Sequence, residues 1–319
     1  MAGKKIWVSA QVDYKKYCGD ALKELQDNGF DVILNTSDTP PSKKEQLALC
    51  KEIDGVIAGA EPWDREILEQ APGLEIISRF GIGIDNIDIK FCKEKGIRVT
   101  NVKDGNVEAV SDTAVCFILS AIKGIGYAGE LLKKGCWQRQ FGHTLKSRRV
   151  GLLGFGNIAR RVAEKLRGFG CEIYAYDKYS DRAAFTARDV KEVSFSRILQ
   201  ECDVISVHLP LTGETRGLIS KEQLEMMKPG AVLINTARGG IVDERALYEA
   251  LRSGVIHGAA VDVFECEPVT RHILFTLDNC ICTPHMAGAT VETFSYTADI
   301  TAKAIIYHFM GLTPDNIIV

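Results

Sequence analysis

The sequence has no long run of basic residues, no repeat of solenoid period and no low-complexity linker. It also has no apolar stretch that reaches the roughly 18 residues needed to cross a bilayer. Each absence removes a class. Without a basic run, and with a formal net charge of only −3, nucleic acid is not an expected partner. Without an apolar span, a membrane is not expected either. The opening "MAGKKIWVSAQVDYKKY" is too polar for a secretory signal, so the expectation is a soluble cytoplasmic protein. In that compartment the ten cysteines read as small buried hydrophobes rather than as disulfide partners.

What is present is alternation. At 319 residues, 46% of them hydrophobic, the chain has material for two sizeable cores. Strand-length apolar runs ("KIWVSA", "FDVIL", "DGVIAG", "LEIISRFG", "IRVTNV") alternate with helical patterns such as "YCGDALKELQDNG". Near Val107 the texture changes to one long apolar helix, "EAVSDTAVCFILSAIKG", which reads as a link between two units. A second series follows: "RRVGLLGFG", "CEIYAYD", "CDVISVHLP", "AVLINTAR", "GAAVDVF" and "CICTPH". The closing "TVETFSYTADITAKAIIYHF" is helical and can return to the first unit. The expected class is α/β, with two doubly wound parallel sheets. Residues 1–101 and 290–319 are expected to form one domain, into which a second domain, 102–289, is inserted.

Between Val150 and Leu166 a buried strand runs into Gly154-x-Gly156-x-x-Ala159 and then directly into a helix. Glycine weakens both elements, so the pair marks either a tight turn or close approach of something to the backbone. The strand–turn–helix context is that of the dinucleotide fingerprint. One glycine allows the turn, the next lets a pyrophosphate reach the helix N-terminus, and a small third residue permits close packing. Asp177 ends the next strand about 20 residues on, where a carboxylate can bond ribose hydroxyls and disfavour the extra phosphate of NADP. The expected cofactor is NAD.

Three later stretches place chemistry just past buried strands, the end of an open α/β sheet where ligands bind. They are "LINTARGGIVDERAL" with Arg238, "GAAVDVFECEP" with Asp262 and Glu267, and "CICTPHMAGAT" with His285. Cys280-x-Cys282-x-x-His285 loosely imitates zinc spacing. No second Cys/His pair accompanies it and a structural zinc takes four ligands, so no metal is expected and the cysteines read as strand packing.

From about Ile76 to His285, and more loosely along its whole length, the chain resembles the D-isomer-specific 2-hydroxyacid dehydrogenases, in particular their short phosphoglycerate-dehydrogenase-like members. The motifs that carry the resemblance are "GFGNIAR", "HLPLTGETRGLI", "INTARGGIVDERAL", "AVDVFECEP" and "TPHMAGAT". The resemblance implies a Rossmann-type NAD-binding domain inserted into a flavodoxin-like substrate domain. It implies that Arg238, Glu267 and His285 are catalytic. It further implies cofactor contacts from Gly154, Gly156, Asn157, Ile158, Asp177, His208, Pro210, Thr215, Asp262 and Gly288, and from the backbone at Thr236 and Ala237. Gly81, Ile82 and Gly83, in "SRFGIGIDNID", would join Arg238 in holding the substrate carboxylate. A homodimer and a small 2-hydroxy or 2-oxo acid substrate are implied as well.

The chemistry of these residue types agrees. Oxidising a secondary alcohol requires a group that takes the hydroxyl proton as hydride leaves, and histidine suits a reversible relay. A neighbouring carboxylate would orient the ring and favour its charged form. Arginine can grip a carboxylate and polarise a carbonyl.

The substrate is less defined. Family members specialised for 3-phosphoglycerate carry a basic side chain where this chain has Ala58-Gly59-Ala60, although Arg79 and Lys103 are near in sequence. The segment "NVKDGNVEAV" also departs from the family pattern. 3-Phosphoglycerate, hydroxypyruvate, glyoxylate and branched 2-oxo acids are all candidates. With the sequence ending at Val319, the regulatory C-terminal domain of longer relatives is not expected. A reading of another class is an NADH-sensing binding protein like the related corepressors, which would bind a partner peptide and turn over slowly.

Overall fold

The computed structural model describes residues 3–319 apart from Gln11 and Asp38. The chain divides into two compact units, Met1–Asn106 with Ala289–Val319, and Val107–Gly288. The division at Asn106 lies beyond the residue 101 expected from sequence, because hydrogen bonds tie residues 101 and 102 to the first unit. Asn101 Nδ2 donates to Ile82 O at 2.8 Å and Val102 N to Gly81 O at 3.0 Å.

In the first unit β1 (Lys5–Val8), β2 (Asp31–Leu34), β3 (Gly55–Ala58), β4 (Ile76–Arg79) and β5 (Arg98–Thr100) form a parallel sheet of order β2-β1-β3-β4-β5. This is the flavodoxin-like order. Side chains alternate across each strand, so Ile6 and Val8 enter one core and Trp7 the other. The helix Val291–Phe309 covers the first of these cores with Ala298, Ala302, Ile305 and Ile306.

The second unit contains β6 (Arg149–Leu153), β7 (Glu172–Tyr176), β8 (Lys191–Glu192), β9 (Val204–Val207), β10 (Val232–Asn235), β11 (Gly258–Val261) and β12 (Cys280–Cys282). Their order, β12-β11-β10-β9-β6-β7-β8, is that of a Rossmann sheet. The order reverses between β6 and β9, and the fold rule puts ligands outside the carboxyl ends of the strands at that switch point. Strands β9, β10 and β11 are buried at every position, as a sheet covered on both faces requires. The long helix Val107–Lys123 lies in this unit with eight buried residues, whereas the following helix Ile125–Lys133 buries none.

Candidate active site

The glycine turn lies at the carboxyl end of β6. Gly154 has φ +92°, and a Cβ there would stand 2.7 Å from the His208 carbonyl oxygen, so the chain itself demands glycine. Gly156 is different. Its φ is −76° and a Cβ would meet nothing within 4 Å, so nothing among the described residues accounts for glycine there. It is the N-cap of the helix Asn157–Leu166 and makes no side-chain capping bond. By contrast Asp64, Asp88, Ser194 and Asp243 each cap their own helices. A helix N-terminus whose N-cap has no side chain, beside space for a close ligand, fits a bound pyrophosphate. Ala159 is fully buried against the sheet, Asn157 is exposed, and Ile158 is half-buried against the core.

Asp177, just past β7, reaches back to this turn. Its Oδ2 accepts the Phe155 N–H at 2.7 Å and its Oδ1 the Tyr179 N–H at 2.8 Å. The carboxylate therefore braces the turn, and its remaining lone pairs suit a ribose diol. Past β9, the His208 ring stands 2.9 Å from Ser206 Oγ through Nε2, and desolvation pushes its pKa down to about 4, which leaves the imidazole neutral. Thr215 Oγ1 donates to Pro210 O at 2.6 Å, so this hydroxyl closes its own loop. Past β10, Thr236 is buried and its Oγ1 has no partner among the described residues, an orphaned donor beside the turn Asn235–Arg238. Ala237 N donates to Asn235 Oδ1 at 3.1 Å. These features fit a dinucleotide.

The reactive groups come from the ends of β10, β11 and β12. His285 Nδ1 and Glu267 Oε2 are 2.6 Å apart, although 18 residues separate them. Burial would raise the Glu267 carboxyl pKa. The hydrogen bond and charge of His285, the Phe264 N–H on Oε1 at 2.8 Å and the nearby Arg238 guanidinium together hold it below the usual value. Arg238 is half-buried, its Nη1 donating to Ala237 O at 2.8 Å. A Cβ at Gly239 would lie 1.9 Å from Phe264 O, so the Arg238 turn presses directly on the loop that carries Glu267.

His285 has φ +50°, a left-handed conformation that costs a non-glycine residue energy and calls for a reason. Asp262 supplies the support. It is fully buried, and accepts from Thr283 Oγ1 at 2.5 Å, Met286 N at 2.9 Å and Ala287 N at 2.8 Å. Its own carbonyl takes the His285 N–H at 2.8 Å. This anchoring, with Thr283 as a partner, escaped the sequence reading. The only signal was a Thr-Pro-His that follows a strand. Gly288 follows the anchored turn and is half-buried.

Gly81, Ile82 and Gly83 lie in a half-buried loop after β4 in the first unit, where Gly81 has φ +148°. Cys280 and Cys282 share one side of β12 with sulfurs 3.7 Å apart and pack on the core. Among the described residues no group of three or more His, Cys, Asp or Glu side chains is placed to hold a metal.

Residues 115–287 match the family model of the D-isomer specific 2-hydroxyacid dehydrogenase NAD binding domain. The glyoxylate reductase of Korarchaeum cryptofilum is 36% identical over 305 residues, covering 93% of this chain and 92% of that protein. The chain belongs to the D-isomer-specific 2-hydroxyacid dehydrogenases. As a member of that family it is an NAD-dependent oxidoreductase acting on CH–OH groups. The D-3-phosphoglycerate dehydrogenase of Methanocaldococcus jannaschii is 37% identical over 303 residues, but the match covers 94% of this dehydrogenase and only 57% of that protein. A solved Thermus thermophilus structure superposes with TM-score 0.91 at 30% identity, covering 99% of this chain and all of the other.

Proposed function

We propose that this dehydrogenase uses NADH to reduce a small, unphosphorylated 2-oxo acid of the glyoxylate and hydroxypyruvate class, and that it works as a homodimer. The observation that carries the reaction is the 2.6 Å contact of Glu267 with His285 Nδ1, which leaves Nε2 to pass a proton to the substrate oxygen. Arg238 grips the substrate carboxylate and polarises the carbonyl. Gly154, Gly156, Asp177 and Thr236 hold the cofactor, with Asn157, Ile158, His208, Pro210, Thr215, Ala237, Asp262 and Gly288 beside them. The bound NADH supplies the hydride.

The absence of phosphate from the substrate rests on Ala58-Gly59-Ala60, which offers no cation, and on Arg79. Its Nη1 donates to Phe80 O at 2.6 Å and Ala58 O at 3.3 Å, an arrangement that braces the loop rather than reaching outward. The homodimer rests on the helix Ile125–Lys133 and the segment after it, where Ile125, Leu132, Trp137 and Phe141 are 58%, 55%, 86% and 92% exposed.

The test is NADH oxidation with glyoxylate, hydroxypyruvate, phosphohydroxypyruvate, pyruvate and a branched 2-oxo acid. The first two should give the highest kcat/KM; a preference for phosphohydroxypyruvate would reject the substrate assignment. His285→Ala should lose turnover by at least about a hundredfold while binding NADH as before. Wild-type turnover in that variant would remove the relay.

A further inference from the structure

Glu244 opens the helix Glu244–Ser253, and its side chain is only 18% exposed. Its two oxygens serve two points of a single loop. Oε1 accepts the Glu265 N–H at 2.6 Å, and Oε2 stands 2.8 Å from His272 Nε2. Between those points lies Glu267. The tautomer of His272 follows from its other nitrogen. Nδ1 accepts the Leu274 N–H at 3.3 Å, so the proton sits on Nε2 and is donated to Glu244. The ring packs in a cluster with Phe264 and Phe275, with centroids at 5.3 and 5.6 Å.

The loop needs such a tie. Residues 265–268 are exposed, and the salt bridge of Arg216 with Glu265 at 3.3 Å joins side chains that are 58% and 60% exposed, a geometry that contributes little. The Glu244 carboxylate is shielded and bidentate. It anchors the loop on both sides of Glu267, while the Phe264 N–H holds the Glu267 carboxylate itself at 2.8 Å. A shift of the loop moves Glu267 away from His285.

We infer that Glu244, acting with His272, is a positioning residue for the Glu267–His285 pair. Neither side chain touches the relay; together they set where the Glu267 carboxylate stands, and through it how the imidazole is oriented. The inference rests on the catalytic reading of Glu267 and His285 given above.

The experiment compares Glu244→Ala, Glu267→Gln and the double variant with the wild-type enzyme, using the fastest 2-oxo acid of the panel above. Glu244→Ala should lower kcat by about tenfold to a hundredfold, the size of effect a small misplacement of a reacting group produces. The KM for NADH should stay within about twofold, since the glycine turn is on a different strand. The double variant should be no slower than Glu267→Gln alone, because a residue that acts only through Glu267 has nothing left to lose. Losses that multiply would mean a general structural role and overturn the inference. His272→Phe preserves the ring packing and deletes the hydrogen bond, so it carries the same comparison if Glu244→Ala fails to fold. Wild-type rates in both Glu244→Ala and His272→Phe, with Glu267→Gln slow, would sink the positioning role alone. A Glu267→Gln enzyme as fast as wild type would remove the catalytic reading and this inference with it.

Discussion

A methyl group added at Gly154 would stand 2.7 Å from the His208 carbonyl oxygen, whereas one added at Gly156 would meet nothing within 4 Å. The two glycines therefore answer to different partners, one to the fold and one to the ligand. Gly154→Ala forces φ +92° on an alanine and should cost about 2 kcal/mol of stability in urea denaturation. Gly156→Ala should leave stability within about 0.5 kcal/mol of wild type. It should weaken NADH binding on the order of tenfold or more, as followed by nucleotide fluorescence, since the methyl occupies the approach of the pyrophosphate. Equal NADH affinity in Gly156→Ala would mean that the cofactor does not pass there. The sequence poses this question and cannot divide it, because both residues read alike in a strand–turn–helix pattern. What separates them is the distance to His208, 54 positions later in the chain, which no local pattern contains. The contact of Glu267 with His285 is legible only through the order of the motifs, since neither residue marks the other by spacing. Asp262 is ambiguous in sequence for another reason. An acid after a buried strand can face a ligand or brace a turn, and three bonds to Thr283, Met286 and Ala287 show that it braces the turn under His285.

At the level of elements, strands are the most legible part of this chain. Runs such as Val204–Val207 and Val232–Asn235 are buried at every position because both faces are covered, and their β-branched residues suit a strand. Helices are less transparent where burial depends on what lies against them. The apolar segment after Val107 reads as one link with an undetermined covering. In the structure that segment is one helix, Val107–Lys123, and a second helix of opposite character, Ile125–Lys133, follows it after a 66° bend at Gly124, where the chain takes φ +65°. Val107–Lys123 runs along the helix Asn157–Leu166 and the sheet, and buries its apolar side chains there. Ile125–Lys133 buries none, and its Ile125 and Leu132 face outward. Trp137 and Phe141, in the segment that follows, are exposed as well, and they are the part of the proposal for a homodimer that can be tested directly. The wild-type chain should elute as a dimer in size-exclusion chromatography with light scattering, and a Trp137→Ser, Phe141→Ser double variant as a monomer. The removal of two aromatic side chains forfeits about 4 kcal/mol of burial, roughly a thousandfold in the dissociation constant. A wild-type chain that is monomeric at micromolar concentration would end the dimer proposal.

At the scale of the whole molecule, the seven-stranded sheet separates stability from chemistry along its strand direction. In the second unit the reacting groups lie past the carboxyl ends of β10, β11 and β12, and the opposite end carries a cluster of charge that touches none of them. Asp203, at the start of β9, is its centre. It accepts the Arg149 N–H at 2.9 Å, Lys228 Nζ at 2.6 Å and Arg148 Nη1 at 3.1 Å, with only 14% of its side chain exposed. Burial alone would raise its pKa; the Arg149 amide and the Lys228 and Arg148 charges outweigh that and hold it below the ordinary carboxylate value. A carboxyl whose pKa is lowered on folding stabilises the native state fully above its unfolded value, about 3.9, and loses that contribution as the pH falls through its folded value. Asp203→Asn should therefore lower the stability of the chain by about 2 kcal/mol at pH 7 and by the same amount at pH 5. Below about pH 4 the wild-type and variant curves should begin to converge, because the unfolded wild-type chain then takes up a proton at this carboxyl before the folded one does. The measurement is urea unfolding at several pH values, with other carboxylates cancelling in the difference between the two proteins. Turnover of folded Asp203→Asn should match wild type, since the cluster lies at the amino ends of the strands. A stability gap that widens as the pH falls would reverse the sign of this argument, and a gap that holds unchanged down to the acid unfolding of both proteins would show that Asp203 acts by shape rather than by charge.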